Sequence, residues 1–263
     1  MQDLKVSYLQ TSLVWHDREA NRKKLEKKIR NIPTENDVII LPEMFDTGFS
    51  MKPEKVPEQK HDKTLAWMKE MAQKYDMAIC GSTITRKGQY YFNRFYWVDP
   101  AANIFHYDKK HLFRMGDEPK HYTAGKDKTI IHYKGWKILP LICYDLRFPG
   151  WSANQLRDES VMYDLLIYVA NWPSTRSHVW TALLQARAME NQACCIGVNR
   201  VGKDGNKLNY SGDSIAFDAK GRVLARSAPF LEDEATFQLD RKELEDFRRK
   251  FPVSYDWDNL KIQ

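Results

Sequence analysis

A chain of 263 residues with 43% hydrophobic and 29% charged content has the make-up of a globular protein and the length to bury a large core in one domain. No apolar run reaches the roughly 18 residues of a membrane span, and the opening MQDLKVSYLQ lacks the charged-then-apolar pattern of a secretory leader. The net charge is +6, and 4 cysteines, two of them adjacent at Cys194 and Cys195, make no disulfide framework, so a reduced, cytoplasmic protein is expected.

In chain order, LKVSYLQ (4–10) reads as a strand, and residues 17–32 read as a helix with Leu25, Ile29 and Ile32 at i, i+4 and i+7. That stripe turns the basic run NRKKLEKKIRN (21–31) toward solvent. No helix-turn-helix, zinc-finger or RNP pattern accompanies it, so a solvated face is expected and not a nucleic-acid interface. A positive field that draws in an anionic metabolite is the other use of such charge. DVIIL (37–41) is a short apolar strand, and Asp62 stands as the N-cap of a helix spaced by Leu65, Met68, Ala72 and Tyr75. MAICGSTI (77–84) and QYYFNRFYWVD (89–99) are strands around a turn at Gly88, and NIFHY (103–107) continues them. WKILPLI (136–142) and DLLIYVA (164–170) are further strands, the second apolar enough to be central. A helix over 178–191 places Trp180, Leu183, Leu184 and Ala188 on one face. ACCIGVN (193–199), SIAFD (214–218), RVLAR (222–226) and ATFQL (235–239) complete the strands, with a hairpin at Asp218–Gly221. No repeat or Gly/Ser linker interrupts the chain, so one domain over 1–263 is expected, ending in an aromatic-rich tail of about 250–263. The pattern predicts an α/β fold of two packed sheets covered by helices.

The residues with chemistry cluster where strands run out. In KILPLICYDLRFP the run Ile138–Ile142 ends in Cys143, followed by Tyr144, Asp145, Arg147 and Pro149. A thiol at the carboxyl end of a strand lies at the mouth of an α/β sheet, although an isolated cysteine is as readily a small core residue. In DVIILPEMFDTGFSM, Glu43 follows Pro42, and HYDKKHLFRMGDEPKHYTAG carries Lys109, His111 and Glu118. Taken singly, Glu43 and Lys109 read as solvated loop charges. Together the three segments resemble the nitrilase (carbon–nitrogen hydrolase) superfamily, whose signature is a Glu–Lys–Cys triad in this order. The matching positions are Glu43 in LPE, Lys109 in YDKKHLF and Cys143 in CYDLRFP. The resemblance runs on through ANWP (170–173), WTALLQARAMENQ (180–192), VNR (198–200) and SGDS (211–214), nearly the whole chain. It implies a four-layer α-β-β-α sandwich.

The implied triad has a coherent chemistry. An amide is a poor electrophile, and a free thiol is mostly protonated at neutral pH, so Cys143 needs Glu43 to take its proton. Lys109 would stabilise the oxyanion together with the backbone N–H of Tyr144, and would favour the thiolate. A thioester on Cys143 would then be hydrolysed by water activated through Glu43. Neither a metal nor a cofactor is expected, because no Cys or His pair has zinc-ligand spacing. In relatives a second Glu placed seven residues before a glycine supports the lysine, which matches Glu118 and Gly125. The resemblance makes His111 structural, since Glu43 fills the base role. Asp145 is read as bracing the turn; Arg147 either meets a substrate carboxylate or pairs with Asp145.

LPEMFDTGFSM, KKHLFRMGDE and ANWP resemble the omega-amidase branch, which hydrolyses the terminal amide of 2-oxo-dicarboxylate monoamides such as 2-oxoglutaramate and 2-oxosuccinamate. Asn171, Trp172 and Arg147 are the pocket candidates, with core packing the competing role for Trp172. The expected partners are a small-molecule amide, water and a second copy of the chain, since relatives dimerise through the helix matching WTALLQARAMENQ. A nitrilase, a carbamoylase or an amidase of deaminated glutathione would use the same triad. A non-catalytic binding relative and a basic nucleic-acid-binding protein are the readings from other classes; the first would not need all three triad residues.

Overall fold

A computed structural model describes residues 2–56 and 63–258. Asp62, the expected N-cap, and positions 259–263 of the expected tail lie outside them. The chain begins with β1 (Leu4–Gln10), α1 (Arg18–Ile29), β2 (Val38–Ile40), α2 (Lys63–Tyr75), β3 (Ala78–Lys87), β4 (Tyr90–Val98) and β5 (Ile104–Asp108). The one-turn helix α3 (Glu118–His121), β6 (Ile131–Tyr133), β7 (Trp136–Ile142) and the short α4 (Pro149–Ser152) follow. A small ribbon, β8 (Leu156–Arg157) and β9 (Ser160–Val161), precedes β10 (Leu165–Ala170), α5 (Ser177–Glu190) and β11 (Cys194–Asn199). A second ribbon, β12 (Val201–Lys203) and β13 (Asn209–Ser211), leads to β14 (Ile215–Phe217), β15 (Val223–Arg226), β16 (Asp233–Leu239) and α6 (Arg241–Lys250).

The strands form two 6-stranded sheets, ordered β16-β1-β2-β3-β4-β5 and β15-β14-β11-β10-β7-β6. Side-chain parity explains why they stack. In the first sheet Val6, Tyr8, Val38, Ile40, Ala78, Cys80, Phe95 and Trp97 share one buried cluster with the second sheet. Their alternates Leu9, Ile39, Ile79, Tyr96 and Val98 instead meet Leu25 and Ile29 of α1 and Met68, Met71 and Ala72 of α2. The second sheet has apolar residues on both faces because α5 covers its outer side with Trp180, Leu184 and Ala188. Gly197 in β11 makes that approach possible: a Cβ there would lie 2.2 Å from Leu184 Cδ1. The order of layers is therefore helix, sheet, sheet, helix, the α-β-β-α sandwich.

Helix α1 starts as expected, with Asp17 Oδ1 accepting from the Ala20 N–H at 2.9 Å. It stops at Ile29, short of the expected residue 32, because the chain tightens toward Pro33, which disfavours helix at the residue before it. Ile32 still joins the α1–α2 core. Part of the basic face is spent on acidic partners: Lys24 Nζ lies 2.5 Å from Glu232 Oε1, and Lys28 Nζ 2.8 Å from Glu234 Oε1. The expected hairpin is present, closed by Gly221 N–H donating to the Asp218 carbonyl at 2.9 Å, with Gly221 at φ +78°.

Candidate active site

The parallel strands β2, β7 and β10 all end at one rim of the sandwich, where the two sheets meet. Glu43 follows β2, Cys143 caps β7 and Asn171 follows β10. These positions are far apart in sequence, yet the Asn171 N–H donates to Glu43 Oε2 at 2.7 Å and Asn171 Nδ2 to the Glu43 carbonyl at 2.6 Å. One residue of the second sheet thus clamps the carboxylate carried by the first.

Lys109, just past β5, lies with its side chain fully buried between two carboxylates. Its Nζ is 2.9 Å from Glu43 Oε1 and 3.0 Å from Glu118 Oε2. Burial works against its charge, but Glu118 and Glu43 outweigh burial and hold the ammonium well above the usual lysine range. Glu118 is raised by burial, with Lys109 opposing that shift. Its Oε2 also accepts the Phe113 N–H at 2.6 Å, which folds the 113–118 loop onto the lysine. The Glu118…Gly125 spacing has a physical reason. Gly125 N–H donates to the Lys109 carbonyl at 2.8 Å, and a Cβ on Gly125 would lie 2.0 Å from the Asp108 carbonyl oxygen.

Cys143 takes φ +45°, a left-handed conformation that opens the 3-10 helix Cys143–Arg147. N–H groups that open such a turn have no acceptor inside it, and the Tyr144 N–H is one of them. Asp145 braces the turn: its Oδ2 accepts from the Ile142 N–H at 3.0 Å and the Tyr107 hydroxyl at 2.8 Å. Its Oδ1 takes both the backbone N–H and the ring Nδ1 of His111, at 2.9 and 2.8 Å. His111 also stacks on Phe148 with ring centroids 3.8 Å apart, so it supports the turn and does not address the thiol. Asp145 is fully occupied in this way, and the guanidinium of Arg147 instead lies 5.0 Å over the Trp172 ring. Of the two readings for Arg147, the ion pair with Asp145 is absent among the described residues.

Lys109 does favour the thiolate, but burial and the Glu43 charge outweigh it and push Cys143 well above the ordinary thiol range. The Cys143 Sγ contacts the Asn171 carbonyl oxygen at 3.9 Å.

A model of the carbon-nitrogen hydrolase family matches residues 5–249. The chain belongs to the carbon–nitrogen hydrolase family. Among its relatives, this hydrolase is similar to omega-amidase YafV of Escherichia coli strain K12, at 44% identity over 262 residues and 100% of both chains. It is also similar to a 2-oxoglutaramate amidase of Bacillus subtilis strain 168, at 31% identity over 254 residues, 95% of this chain and 96% of the relative. The crystal structure of XC1258 from Xanthomonas campestris, a CN-hydrolase superfamily protein with an arsenic adduct in its active site, matches with a TM-score of 0.96 at 38% identity, covering 100% of each chain.

In front of Cys143 the hydrolase has a cavity of about 280 Å³, just under the roughly 300 Å³ at which the range for ligand sites begins. Tyr144, Arg147, Asn171 and Trp172 line it, so the pocket candidates named from sequence come together with Cys143. Trp172 lies between the core and the cavity. Its ring packs 5.4 Å from Trp180 and it also forms the pocket wall, with Nε1 donating to the Arg176 carbonyl at 2.8 Å. Sequence reasoning missed Arg176, a second guanidinium in the wall, and Asn93, which donates to Glu43 Oε1 at 2.7 Å. It also missed the β12–β13 ribbon, whose Asp204, Leu208 and Tyr210 form the far side. A polar residue at an inward position of a buried strand was the available signal for Asn93; Arg176 carried none beyond its nearness to ANWP.

Proposed function

We infer that this hydrolase is an omega-amidase that releases ammonia from the terminal amide of small 2-oxo-dicarboxylate monoamides, 2-oxoglutaramate foremost. The observation that carries this reading is a pocket that joins a buried Glu43–Lys109–Cys143 constellation to the guanidinium of Arg147, which forms no ion pair with Asp145 among the described residues. The activities named for the Escherichia coli and Bacillus subtilis relatives agree with it. Arg147 meets the substrate carboxylate, with Arg176 adding positive charge to the same wall, and this sets the terminal amide at Cys143. Glu43 takes the thiol proton as sulfur attacks the carbonyl carbon. Lys109 Nζ and the Tyr144 N–H hold the oxyanion. Collapse expels ammonia, which carries off the proton from Glu43 and leaves a thioester on Cys143. Glu43 then takes a proton from water, the resulting hydroxide attacks the thioester, and the thiolate recovers its proton as the dicarboxylate departs. Glu118 keeps Lys109 charged and in place.

The deciding experiment measures ammonia release from 2-oxoglutaramate, glutamine, asparagine and a simple nitrile. Turnover of the oxo-amide far above the others is expected; strong turnover of glutamine with none of the oxo-amide would sink the assignment. Arg147→Met is expected to raise KM for the oxo-amide by ~10–100-fold, the scale of a lost hydrogen bond to a charged group. Arg147→Lys is expected to recover only part of this, since it lacks the fork that grips a carboxylate. The reading extends to a cytoplasmic homodimer. Exposed Met189, Val223 and Leu224 on the α5–β15 side support self-association, and sedimentation equilibrium tests it by giving twice the chain mass.

A further inference from the structure

Asn93 is fully buried in β4, with the parity of Phe95 and Trp97, so it faces the second sheet. Both ends of its side-chain amide are used. Nδ2 donates to Glu43 Oε1 at 2.7 Å and to Glu118 Oε1 at 3.2 Å. Oδ1 accepts from the Ser82 hydroxyl at 2.9 Å, and the Ser82 oxygen accepts the Met44 N–H at 2.9 Å. The Asn93 carbonyl accepts the Lys109 N–H at 3.0 Å. A backbone N–H only donates, so the Ser82 hydroxyl is left to spend its own proton on Asn93 Oδ1. The amide is thereby fixed with its NH2 toward the carboxylates. An apolar side chain would suit this core position, which makes a fully satisfied asparagine a built feature.

The two oxygens of Glu43 differ as a result. Oε1 receives two short bonds, from Lys109 Nζ at 2.9 Å and Asn93 Nδ2 at 2.7 Å. Oε2 receives one short bond, from the Asn171 N–H at 2.7 Å, while Asn171 Nδ2 stands at 3.4 Å. Each carboxylate oxygen offers two lone-pair sites, so a proton on Oε1 must displace an obligate donor, whereas Oε2 has room. Given the hydrolytic roles assigned above, on which the idea rests, we propose that Asn93 is a positioning residue that, with Lys109, saturates Glu43 Oε1 and confines the proton traffic to Oε2, with Ser82 locking its orientation. The thiol proton moves to Oε2 as the C–S bond forms, and passes to the leaving nitrogen as the C–N bond breaks. A proton from water then moves to Oε2 as the new C–O bond forms, and passes to Sγ as the C–S bond breaks.

The signature is a pH profile. Among the described residues, the titratable groups that interact with Glu43 include Lys109, Glu118, Cys143, Tyr122 and Tyr210. Removing the Asn93 donor takes a hydrogen bond from the ionised form of Glu43 and moves the acid limb to higher pH. The experiment follows two quantities against pH in the wild type, Asn93→Leu and Ser82→Ala: kcat/KM for the amide turned over, and alkylation of Cys143 by iodoacetamide read by mass. Both acid limbs are expected to rise, by about 0.5–1 unit in Asn93→Leu and less in Ser82→Ala, with kcat down ~10-fold or more and KM little changed. Unmoved limbs in the folded variants, or a rise in KM at constant kcat, overturn the proposal. Should Asn93→Leu fail to fold, the limb of Ser82→Ala decides alone. Alkylation needs no substrate, so failure to hydrolyse 2-oxoglutaramate would count against the substrate assignment and not against Asn93.

Discussion

Cys143 is held in a left-handed backbone conformation that costs a residue with a Cβ about 1–3 kcal/mol, and the Asp145 bonds to Ile142 and His111 offset that strain. Cys143→Ala is therefore expected to abolish hydrolysis with an unchanged melting profile, and wild-type protein quenched with substrate is expected to carry an acyl mass on Cys143 alone. Burial pushes Cys194 up to about 12 and Cys80 and Cys195 well above the ordinary thiol range, as it does Cys143, but none of these three lines the cavity in front of Cys143, so each is expected to tolerate alanine with most activity kept. An adduct on Cys194 or Cys195 would defeat the assignment. Glu43→Gln and Lys109→Met are each expected to lower kcat/KM by at least ~10²-fold, without multiplying in the double variant, because they act on one reaction as a unit. Lys109→Met also leaves Glu43 and Glu118 facing each other unneutralised, and a loss of about 3–5 kcal/mol in urea denaturation is expected, partly recovered by adding Glu118→Gln. Glu43, Lys109, Glu118 and Cys143 were legible in sequence because each sits in a short local motif. Asn93 and Arg176 were not, since their roles arise only when β4, the 113–118 loop and the start of α5 are brought together.

At the scale of elements, strands with strict alternation or continuous apolar runs could be read directly, because a buried sheet face imposes that period on the sequence. The ribbon β12–β13 could not: it is short, polar and glycine-containing, and pairs only because the chain folds back over the pocket. The 3-10 turn at Cys143 was readable only as a sharp turn. Gly125 shows how far a spacing rule can be given a cause. With a Cβ 2.0 Å from the Asp108 carbonyl oxygen, Gly125→Ala must displace the backbone that carries Lys109. Loss of about 1–3 kcal/mol in stability together with a fall in kcat is expected, measured against Gly150→Ala, where nothing lies within 4 Å of the added carbon. Equal behaviour of the two variants would refute this account of the spacing.

Across the whole molecule, Asp164 ties α6 to the second sheet, with Arg241 Nη1 at 2.7 Å and Arg248 Nη1 at 2.6 Å. Burial alone would raise its carboxyl, but Arg248 and Arg241 prevail and hold it below the usual range. The stability this brings is complete above the unfolded value of about 3.9 and is lost as pH falls through the lower folded value. The gap in urea midpoint between wild type and Asp164→Asn is expected to be wide at neutral pH and to close in strong acid; a gap independent of pH would contradict the linkage.

Glu43 and Lys109 hang from one sheet, Cys143 and Asn171 from the other, and hydrogen bonding within either sheet does nothing to align the two. Catalysis requires the reacting groups aligned to within about an ångström, whereas circular dichroism needs only that each slab stay folded. In a guanidinium titration, hydrolysis is accordingly expected to vanish before the far-ultraviolet signal does. Turnover would then act as a vernier between two plates, reporting slippage that no spectroscopic measure of secondary structure would register.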